Sequence, residues 1–309
     1  MKIFHSIHDF ESDKKTILTL GTFDGVHIGH TAILKKLIQN THNGEFESTV
    51  LTFFPHPRMV LQGKTDLKLL NTIDEKIGLF EKIGIENLII HPFDEVFSQL
   101  TAEEFVKTIL VDQLHIQKII IGYDHRFGKN RTANFEDLEA FGKIYGFEVE
   151  QISAQEINAI SISSTKIRIA LEEGEIHLAN DYLGYDYVFS GTVVKGKQLG
   201  RTIGFPTTNI QLSEDYKLIP KNGVYIVQVI IKEKAVFGMM NIGFNPTVEG
   251  KEKTIEVHLF DFESTIYDQK ITVSIMHPIR SEQKFESVAL LIQQLQKDKE
   301  YSLRYLSGL

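Results

Sequence analysis

The sequence predicts two domains, a parallel β-sheet with helices on both faces followed by an antiparallel β-barrel or sandwich that ends in a helix. Three observations predict this arrangement. The chain has 309 residues, which is more than one typical domain. Up to about residue 180, short apolar runs alternate with segments of helical period. From about residue 187, strand-like runs follow one another with only turns between them. We therefore expect domains at 1–183 and 184–309.

Four buried strands are expected in the first domain, with helical segments between them. The strand candidates are 16–21, 48–54, 86–93 and 117–124. The helical candidates are 32–40, 72–84 and 101–114. A strand followed by a helix, repeated four times, indicates a parallel sheet wrapped by helices.

The second domain shows five strand-like runs separated by turn signals. They are 187–196, 223–231, 235–244, 254–262 and 271–276. This pattern is typical of a small antiparallel barrel or sandwich. The final segment places Phe285, Val288, Ile292 and Leu295 on one helical face, which we expect to pack against the barrel.

Composition limits the class of protein. Hydrophobic residues make up 42% and charged residues 24%, and no apolar run approaches the roughly 20 residues that span a bilayer, so no membrane segment is expected. The start lacks the apolar core of a secretory signal and the chain has no cysteine, which favours a reducing cytoplasm and excludes thiolate chemistry. The net charge of −8 argues against a broad nucleic-acid surface. We expect small-molecule partners.

The string "GTFDGVHIGH" at 21–30 follows a predicted strand and opens a predicted helix. Its backbone amides and the positive end of the helix should face the space where parallel sheets bind ligands. Its glycines, which allow a tight turn and the close approach of a phosphate, are Gly21, Gly25 and Gly29. His27 and His30 are three residues apart, so both rings can donate to one phosphate chain. An ordinary glycine-rich turn is the alternative.

This string resembles the HIGH-type signature of the nucleotidyltransferase superfamily, whose members transfer a nucleoside monophosphate from a triphosphate to a phosphate or carboxylate. The resemblance implies a Rossmann-like domain in which His27 and His30 are catalytic and stabilise negative charge as pyrophosphate leaves. It also implies nucleotide contacts for Gly21, Phe23, Asp24, Gly25 and Gly29.

A second element, "ISISSTKIRIAL" at 160–171, resembles the "ISSTxIR" form that closes on the triphosphate in the same superfamily. The resemblance implies that Arg168 is catalytic and steadies the leaving charge, and that Lys166 offers a further cationic donor. The implied nucleotide-binding residues are Ser163, Ser164 and Thr165. Taken alone, the string would indicate only a capped helix start.

Two further stretches, "TFFPHPR" at 52–58 and "IGYDHRFGKNR" at 121–131, resemble the bacterial bifunctional riboflavin kinase and FMN adenylyltransferase family, also called FAD synthetase. The implied flavin-binding residues are Phe54, His56, Pro57, Arg58, Asp124, Phe127 and Arg131. This chain departs from the family pattern with His125 where Phe is usual and Ala133 where Gly is common. For His56, a rigid loop set by the two prolines is an equal alternative.

The stretch "GTVVKGKQ" at 191–198 matches the G-x-x-x-x-G-K pattern of a P-loop. It has Gln198 where that loop needs Ser or Thr, and it is followed by "LGRTIGFP", for which no helix is expected. We therefore reject a P-loop. In "FPTTN", Thr207 and Asn209 lie on the same side of an extended chain and offer hard oxygen ligands suited to Mg²⁺.

The string "GRTIGFPTTN" at 200–209 resembles the flavokinase signature "GRxxGFPTxN". The resemblance implies Mg²⁺ bound by Thr207 and Asn209 together with ATP, and Glu256 as the base that accepts the ribityl hydroxyl proton. It also implies nucleotide contacts for Gly196, Gly200 and Arg201 and a flavin contact for Arg280. Asp268, where the family often has Gly, should alter only a turn.

The resemblance spans nearly the whole chain and implies two reactions with ATP as co-substrate. Riboflavin is phosphorylated to FMN in the second domain, and FMN is adenylylated to FAD in the first. The expected partners are riboflavin, FMN and ATP, without nucleic acid or membrane, and a homo-oligomer is compatible with the sequence. Two alternatives stay open: another HIGH-type enzyme, such as an aminoacyl-tRNA synthetase or a pantetheine phosphate adenylyltransferase, and a non-catalytic flavin sensor.

Overall fold

A computed structural model describes residues 1–41, 44–63, 66–153, 162–196, 199–247 and 250–308, without the side chains of 245–252. The chain divides into two compact units. The first comprises Met1–Leu69 and Ile73–Ser164, and the second comprises Leu70–Thr72 and Thr165–Leu309. Within the described ranges, no helix combines the length and apolarity needed to cross a membrane.

A parallel sheet forms the centre of the first unit. Its strands are β1 (Lys2–Phe4), β2 (Thr16–Leu20), β3 (Glu47–Phe53), β4 (Asn87–His91), β5 (Ile116–Gly122) and β6 (Glu148–Ile152). Their spatial order is β1-β4-β3-β2-β5-β6, and all neighbouring pairs are parallel. The four predicted strands correspond to β2, β3, β4 and β5. The two that sequence analysis missed lie at the edges, where β1 is short and β6 carries no continuous apolar run.

Helices connect these strands. They are α1 (Ile28–Thr41), α2 (Pro57–Leu61), α3 (Ile73–Ile83), α4 (Glu95–Ser98), α5 (Ala102–Glu104) and α6 (Phe135–Tyr145), with a π-helix at Phe105–Gln113 and 3₁₀ turns at Ile7–Asp9 and Lys129–Arg131. The predicted helix at 101–114 begins at a capping box in which Thr101 and Glu104 bond reciprocally. It then continues as the π-helix rather than as a regular α-helix.

Both faces of the sheet are covered, as the sequence predicts. Leu18, Leu51 and Ile119 point into one core. Ile17, Val50 and Ile120, which are their neighbours along the same strands, point into the other. Since successive strand residues face opposite sides, burial of both sets requires a helical layer on each face.

The chain changes direction across the sheet between β2 and β5. From β2 it proceeds through β3 and β4 towards one edge, and it then returns to place β5 on the other side of β2. Segments that follow β2 and β5 therefore leave the sheet in opposite directions and open a crevice beyond the carboxyl ends of the strands. The predicted stretches 21–30 and 121–131 both begin at this switch point.

The second unit is a closed antiparallel barrel, so the barrel rather than the sandwich is correct. Its strands are β7 (Tyr187–Val194), β8 (Thr208–Leu212), β9 (Gly223–Ile231), β10 (Lys234–Thr247), β11 (Gly250–Leu259) and β12 (Lys270–Ser281), in the order β10-β11-β8-β7-β12-β9. Its helices are α7 (Ser164–Glu173), α8 (Ile176–Leu183), α9 (Leu199–Thr202) and α10 (Val288–Leu306). The buried Lys217 donates to the carbonyls of Leu70 and Val188, at 2.5 and 2.6 Å, which holds segment Leu70–Thr72 in this unit.

The expectation that "LGRTIGFP" contains no helix was wrong for its first residues, which form α9. The turn closes where the backbone amides of Ile203 and Phe205 donate to the carbonyl of Gly200. It ends at Gly204, whose φ of +83° departs from helical geometry. One turn is too short for the long helix that follows a P-loop, so rejection of the P-loop stands. Gln198 lies outside the described residues.

The predicted buried face of the C-terminal helix was wrong in part. Leu295 packs against a cluster on the barrel, but Val288 is 60% exposed and Ile292 also faces solvent. Phe285 precedes the helix, whose N-cap is Ser287. The buried face instead carries two polar residues, Asp298 and Ser302, and apolar spacing alone could not reveal it.

Asp298 ties α10 to the barrel. Its carboxylate accepts from Nε and Nη2 of Arg280 at 2.8–3.1 Å and from the Gln294 amide at 2.8 Å. The Asp298 residue is only 2% exposed, and the Arg280 side chain is largely buried. A buried pair of this kind is costly to break, because the remaining partner keeps an uncompensated charge.

We predict that Asp298→Ala lowers the free energy of unfolding by about 3–5 kcal/mol, since it strands the Arg280 guanidinium. Urea unfolding followed by circular dichroism measures the change. Glu300→Ala, at an exposed position of the same helix, is the matched control and should change stability by less than about 0.5 kcal/mol. Equal effects of the two substitutions would contradict this account of how α10 is held.

Candidate active sites

The turn between β2 and α1 has an unusual backbone. Phe23, Gly25 and Val26 have φ values of 45°, 88° and 37°. Only glycine adopts positive φ without cost, so Phe23 and Val26 are strained and must be held by their surroundings. Phe23 is 2% exposed and packs edge-on against Phe80 of α3, with ring centroids 5.7 Å apart.

His27 and His30 lie side by side at the start of α1. Their rings stack with centroids 3.6 Å apart and an angle of 17° between the planes. The His30 amide donates to Nδ1 of His27 at 3.3 Å, so His27 caps the helix. Since Nδ1 accepts, neutral His27 carries its proton on Nε2. Nδ1 of His30 is buried and has no hydrogen-bond partner in the part of the chain that the structure describes.

Burial keeps both imidazoles uncharged at neutral pH. It lowers the pKa of His27 to about 4, although the charges of Asp24 and Asp124 act in the opposite direction. Burial also lowers the pKa of His30 well below its usual value, and the neighbouring His27 and Lys76 lower it further. The turn therefore offers neutral N–H donors rather than a pair of cations.

Sequence analysis missed Lys76, which lies against this turn. Its ammonium is buried and donates to the carbonyl of Thr22 at 2.7 Å. A sequence signal existed, because Lys76 precedes the buried Phe80 by four residues and so shares the apolar face of α3. A lysine on such a face is unusual enough to mark a site.

The structure connects the start of "SSTKIR" to the turn. The Ser164 hydroxyl donates to the carbonyl of Asp24 at 2.8 Å, across 140 residues of sequence. Ser163 is exposed immediately before α7. Thr165 and Arg168 belong to the second compact unit, and their roles at the nucleotide remain predictions from the motif.

The stretch after β3 has local structure that explains His56. Its Nδ1 accepts from the amide of Arg58 at 3.1 Å, so His56 is the N-cap of α2 and Pro57 occupies the first turn. Phe54 and His56 are half-buried, whereas Arg58 is exposed. This geometry supports the local structural role of His56, and a flavin contact remains a prediction.

The loop after β5 contains both departures from the family pattern, His125 and Ala133. The rings of His125 and Phe127 are nearly parallel, with centroids 6.3 Å apart and an angle of 16° between the planes. Phe127 and Ala133 exchange two backbone hydrogen bonds, which close the loop without Gly at 133. Asp124 and Arg131 are exposed at its two ends. The His125 imidazole is neutral at pH 7, because burial lowers its pKa to about 4.

The barrel brings together three predicted residues: Thr207 directly before β8, Asn209 on β8 and Glu256 on β11. Thr207 donates through Oγ1 to Oε2 of Glu256 at 3.1 Å. Asn209 lies directly opposite Glu256 where β8 pairs with β11, and opposed residues of an antiparallel pair share a face. A hydroxyl, an amide and a carboxylate thus converge at one point, as oxygen ligands for a hard cation do.

Glycines let the preceding loop lie directly on these residues. A Cβ at Gly196 would collide with the amide group of Asn209, and one at Gly200 would collide with the carbonyl of Phe205. Any side chain at these two positions would push the loop away. Arg201 follows on the exposed surface of α9.

His258 is a second residue that sequence analysis missed, and it contacts the residue next to Thr207. His258 is buried, its Nδ1 lies 2.8 Å from the carbonyl of Pro206, and burial lowers its pKa. Because the carbonyl can only accept, Nδ1 donates, and the imidazole fixes the residue next to Thr207. Because His258 is two residues from Glu256 on the predicted strand 254–262, both lie on the same strand face, but the sequence gives no sign that His258 is buried.

Arg280, which is predicted to contact flavin, forms an ion pair and a hydrogen bond within the second unit. Besides its ion pair with Asp298, its Nη1 donates to the carbonyl of Ser281 at 3.2 Å. A flavin contact would therefore compete with these bonds.

Fold and sites together define a class of protein. A parallel sheet with a HIGH-type turn at its switch point, followed by a barrel with a "GRxxGFPTxN" loop, is a two-domain nucleotide-dependent transferase. Comparison with known families agrees: residues 9–166 match the model for FAD synthetase, and residues 183–306 match that for riboflavin kinase. The chain belongs to the family of bifunctional riboflavin kinase/FMN adenylyltransferases, enzymes with both activities.

Individual relatives cover the whole chain. The bifunctional riboflavin kinase/FMN adenylyltransferase of Haemophilus influenzae is 41% identical over 94% of each chain. That of Listeria monocytogenes is 37% identical over 100% of this chain and 99% of its own. A crystal structure described as a macrolide-efflux protein from Streptococcus pneumoniae has a TM-score of 0.88 and 31% identity, over 97% of this chain and 98% of that one.

We predict that His27 stays neutral in the folded protein until the pH approaches 4, as NMR titration of its ring nitrogens would show. Its folded pKa lies below the unfolded value of about 6.5, so the unfolded state binds more protons between these values. Its contribution to stability is complete above pH 6.5 and is lost as the pH falls. Between pH 7 and pH 5, the free energy of unfolding of His27→Gln should therefore decrease by about 2 kcal/mol less than that of the wild-type protein.

Urea unfolding at the two pH values measures that difference. His5→Gln, at an exposed position, is the control and should follow the wild-type curve. A His27 ring that titrates near pH 6.5 would show that burial does not act on it as described.

Proposed function

We propose that residues 1–183 form the FMN adenylyltransferase domain and residues 184–309 the riboflavin kinase domain, each with its own ATP site. This boundary differs from that of the compact units, because residues 165–183 belong to the second unit. The observation that carries this proposal is that one chain contains two separately built sites. One is the strained turn with stacked histidines in the first compact unit, and the other is the Thr207–Glu256 cluster in the second. The two family matches fall on the same two parts of the chain.

In the kinase reaction, Glu256 accepts the proton of the ribityl hydroxyl as that oxygen attacks the γ-phosphorus of ATP and ADP leaves. The hydroxyl of Thr207 and the amide oxygen of Asn209 would hold Mg²⁺, because neutral oxygens beside a carboxylate suit a cation that is also bound by phosphates. Mg²⁺ supplies charge neutralisation on the phosphates when it is bound. Gly196, Gly200 and Arg201 position the loop against the nucleotide, and Arg280 contacts the flavin.

In the adenylyl transfer, a phosphate oxygen of FMN attacks the α-phosphorus of ATP and pyrophosphate leaves. The protein forms no covalent bond, so positioning and charge stabilisation carry the reaction. His27 and His30 donate to the phosphates, and Arg168 steadies the leaving pyrophosphate. The remaining nucleotide contacts come from Gly21, Phe23, Asp24, Gly25, Gly29, Ser163, Ser164 and Thr165.

FMN binds beside this turn, on the loops after β3 and β5. Support comes from Asp124, whose charge acts on His27 and therefore lies within electrostatic reach of the catalytic turn. The other proposed contacts are Phe54, His56, Pro57, Arg58, Phe127 and Arg131. This arrangement places the phosphate acceptor at the switch point of the sheet.

The proposed setting is a reducing cytoplasm, with riboflavin, FMN and ATP as partners, no nucleic acid or membrane, and the possibility of a homo-oligomer. The cysteine-free sequence and the net charge of −8 support it. The efflux function named for the streptococcal relative is not proposed for this chain, because both family matches and the curated relatives name flavin enzymes.

We predict that Glu256→Gln slows riboflavin phosphorylation by about 10²–10⁴-fold, because the amide cannot accept the proton. The same variant should still convert supplied FMN to FAD. Chromatography of flavins after incubation with ATP and Mg²⁺ measures both rates. Glu263→Gln, at an exposed position after β11, is the control and should keep both activities. Loss of both reactions in a folded Glu256→Gln protein would contradict separate sites.

The converse substitution is His30→Ala. It should slow FAD formation from FMN by about 10²–10³-fold, since one preorganised donor to the phosphates is removed. Riboflavin should still be phosphorylated, so FMN accumulates. His5→Ala provides the matched exposed histidine. Normal FAD formation by His30→Ala would remove the turn from the proposed site.

A further inference from the structure

Lys76 forms a hydrogen bond with the start of the turn between β2 and α1. Its Nζ donates to the carbonyl of Thr22 at 2.7 Å, and the Thr52 hydroxyl donates to the same oxygen at 3.3 Å. Thr22 directly precedes Phe23, the first residue of the turn with positive φ. The start of the strained segment is therefore fixed by side chains from α3 and β3.

A lysine is a costly choice for this position. Lys76 is 5% exposed, and burial lowers the pKa of its ammonium to about 8, although the charge of Asp24 favours the protonated form. Asp24, in the turn itself, is 1% exposed. An apolar side chain would fill this face of α3 without any desolvation penalty. At neutral pH the ammonium is mostly protonated, so the turn rests on a buried positive charge.

That charge also acts on His30. Burial is the main cause of the low pKa of His30, and the neighbouring Lys76 lowers it further, because a cation nearby disfavours the imidazolium. The groups coupled to Lys76 are thus Asp24 in the turn and His30 on α1. A neutral imidazole donates a hydrogen bond without carrying charge of its own, a form that catalytic histidines use elsewhere.

We propose that Lys76 is a positioning residue for adenylyl transfer, which fixes the carbonyl of Thr22 at the start of the strained segment, so that the turn presents its N–H groups to the nucleotide phosphates. This inference rests on the proposed role of the turn in binding ATP. Lys76 touches neither substrate nor reacting atoms in this role and acts through the carbonyl of Thr22. A purely structural alternative is that Lys76 only compensates the charge of Asp24.

The test compares Lys76→Met with Lys82→Met in the full-length protein. Methionine has an unbranched side chain that is one atom shorter than that of lysine, and it removes the charge and the donor. Lys82 is an exposed lysine on the same helix. We expect Lys76→Met to lower kcat for FAD formation from FMN by about 100-fold, the size of effect that misplaced catalytic groups produce. Riboflavin phosphorylation by the same molecules should be unchanged, and it serves as the internal control for folding. Lys82→Met should keep both rates.

Two measurements separate positioning from simple stability. NMR titration should show a higher pKa for His30 in Lys76→Met, and no change in Lys82→Met, because a neighbouring positive charge is gone. In the wild-type protein, FAD formation should fall as the pH rises through about 8, where Lys76 loses its proton, while riboflavin phosphorylation follows a separate profile. The residual activity of Lys76→Met should lack this fall.

His30→Ala separates failure of this inference from failure of the proposed site. If His30→Ala abolishes FAD formation but Lys76→Met retains wild-type rate and His30 pKa, Lys76 has no positioning role. If Lys76→Met lowers both enzyme activities together with thermal stability, Lys76 is structural and the inference is also overturned. If His30→Ala itself retains FAD formation, the proposed role of the turn fails first.

Discussion

The first unit depends on a strained turn held at the point where the sheet changes direction. Phe23 and Val26 adopt backbone angles that L-residues avoid, and such angles persist only where packing over-determines them. Here the ring of Phe23 is locked against Phe80, and the carbonyl of Thr22 is held by Lys76 and Thr52. The turn is therefore rigid before any ligand arrives, which is what catalysis by positioning requires.

In the second unit, strand pairing holds the candidate site residues in position. Thr207 and Glu256 are 49 residues apart, and the register of β8 against β11 brings them to 3.1 Å. Gly196 can lie against Asn209, and Gly200 against the carbonyl of Phe205, because neither has a side chain. Behind this surface, His258 fixes Pro206 by a buried hydrogen bond. A rigid barrel thus carries the oxygen cluster, and the short loop covers it.

Charge is used differently in the two units. Around the turn, burial drives imidazoles to their neutral form, whereas the buried ammonium of Lys76 is favoured by the charge of Asp24 against the effect of burial. In the barrel unit, the buried Asp298 is fully bonded to Arg280 and Gln294 and serves to attach a helix. Buried charge is costly in both places, and only in the second is it matched by a bidentate ion pair.

Sequence alone determined a great deal here. Periodicity identified the parallel sheet and the four strands that carry its core, and contiguous strings such as "GTFDGVHIGH" and "GRTIGFPTTN" located both candidate sites, because their chemistry is local in sequence. It failed at β1, β6, β8 and α9, which are short and lack an apolar run, and at the buried face of α10, where Asp298 and Ser302 replace apolar residues.

Only the tertiary structure decided which residues support the sites and in which protonation state. The contact of Lys76 with Thr22, of His258 with Pro206 and of Thr207 with Glu256 all join segments distant in sequence. Likewise, no pattern of residue types reveals that His27 and His30 are uncharged, since their pKa values depend on how much water the fold removes from around them. Motifs name the groups that meet a ligand, whereas burial and long-range packing set their charge and hold them in place.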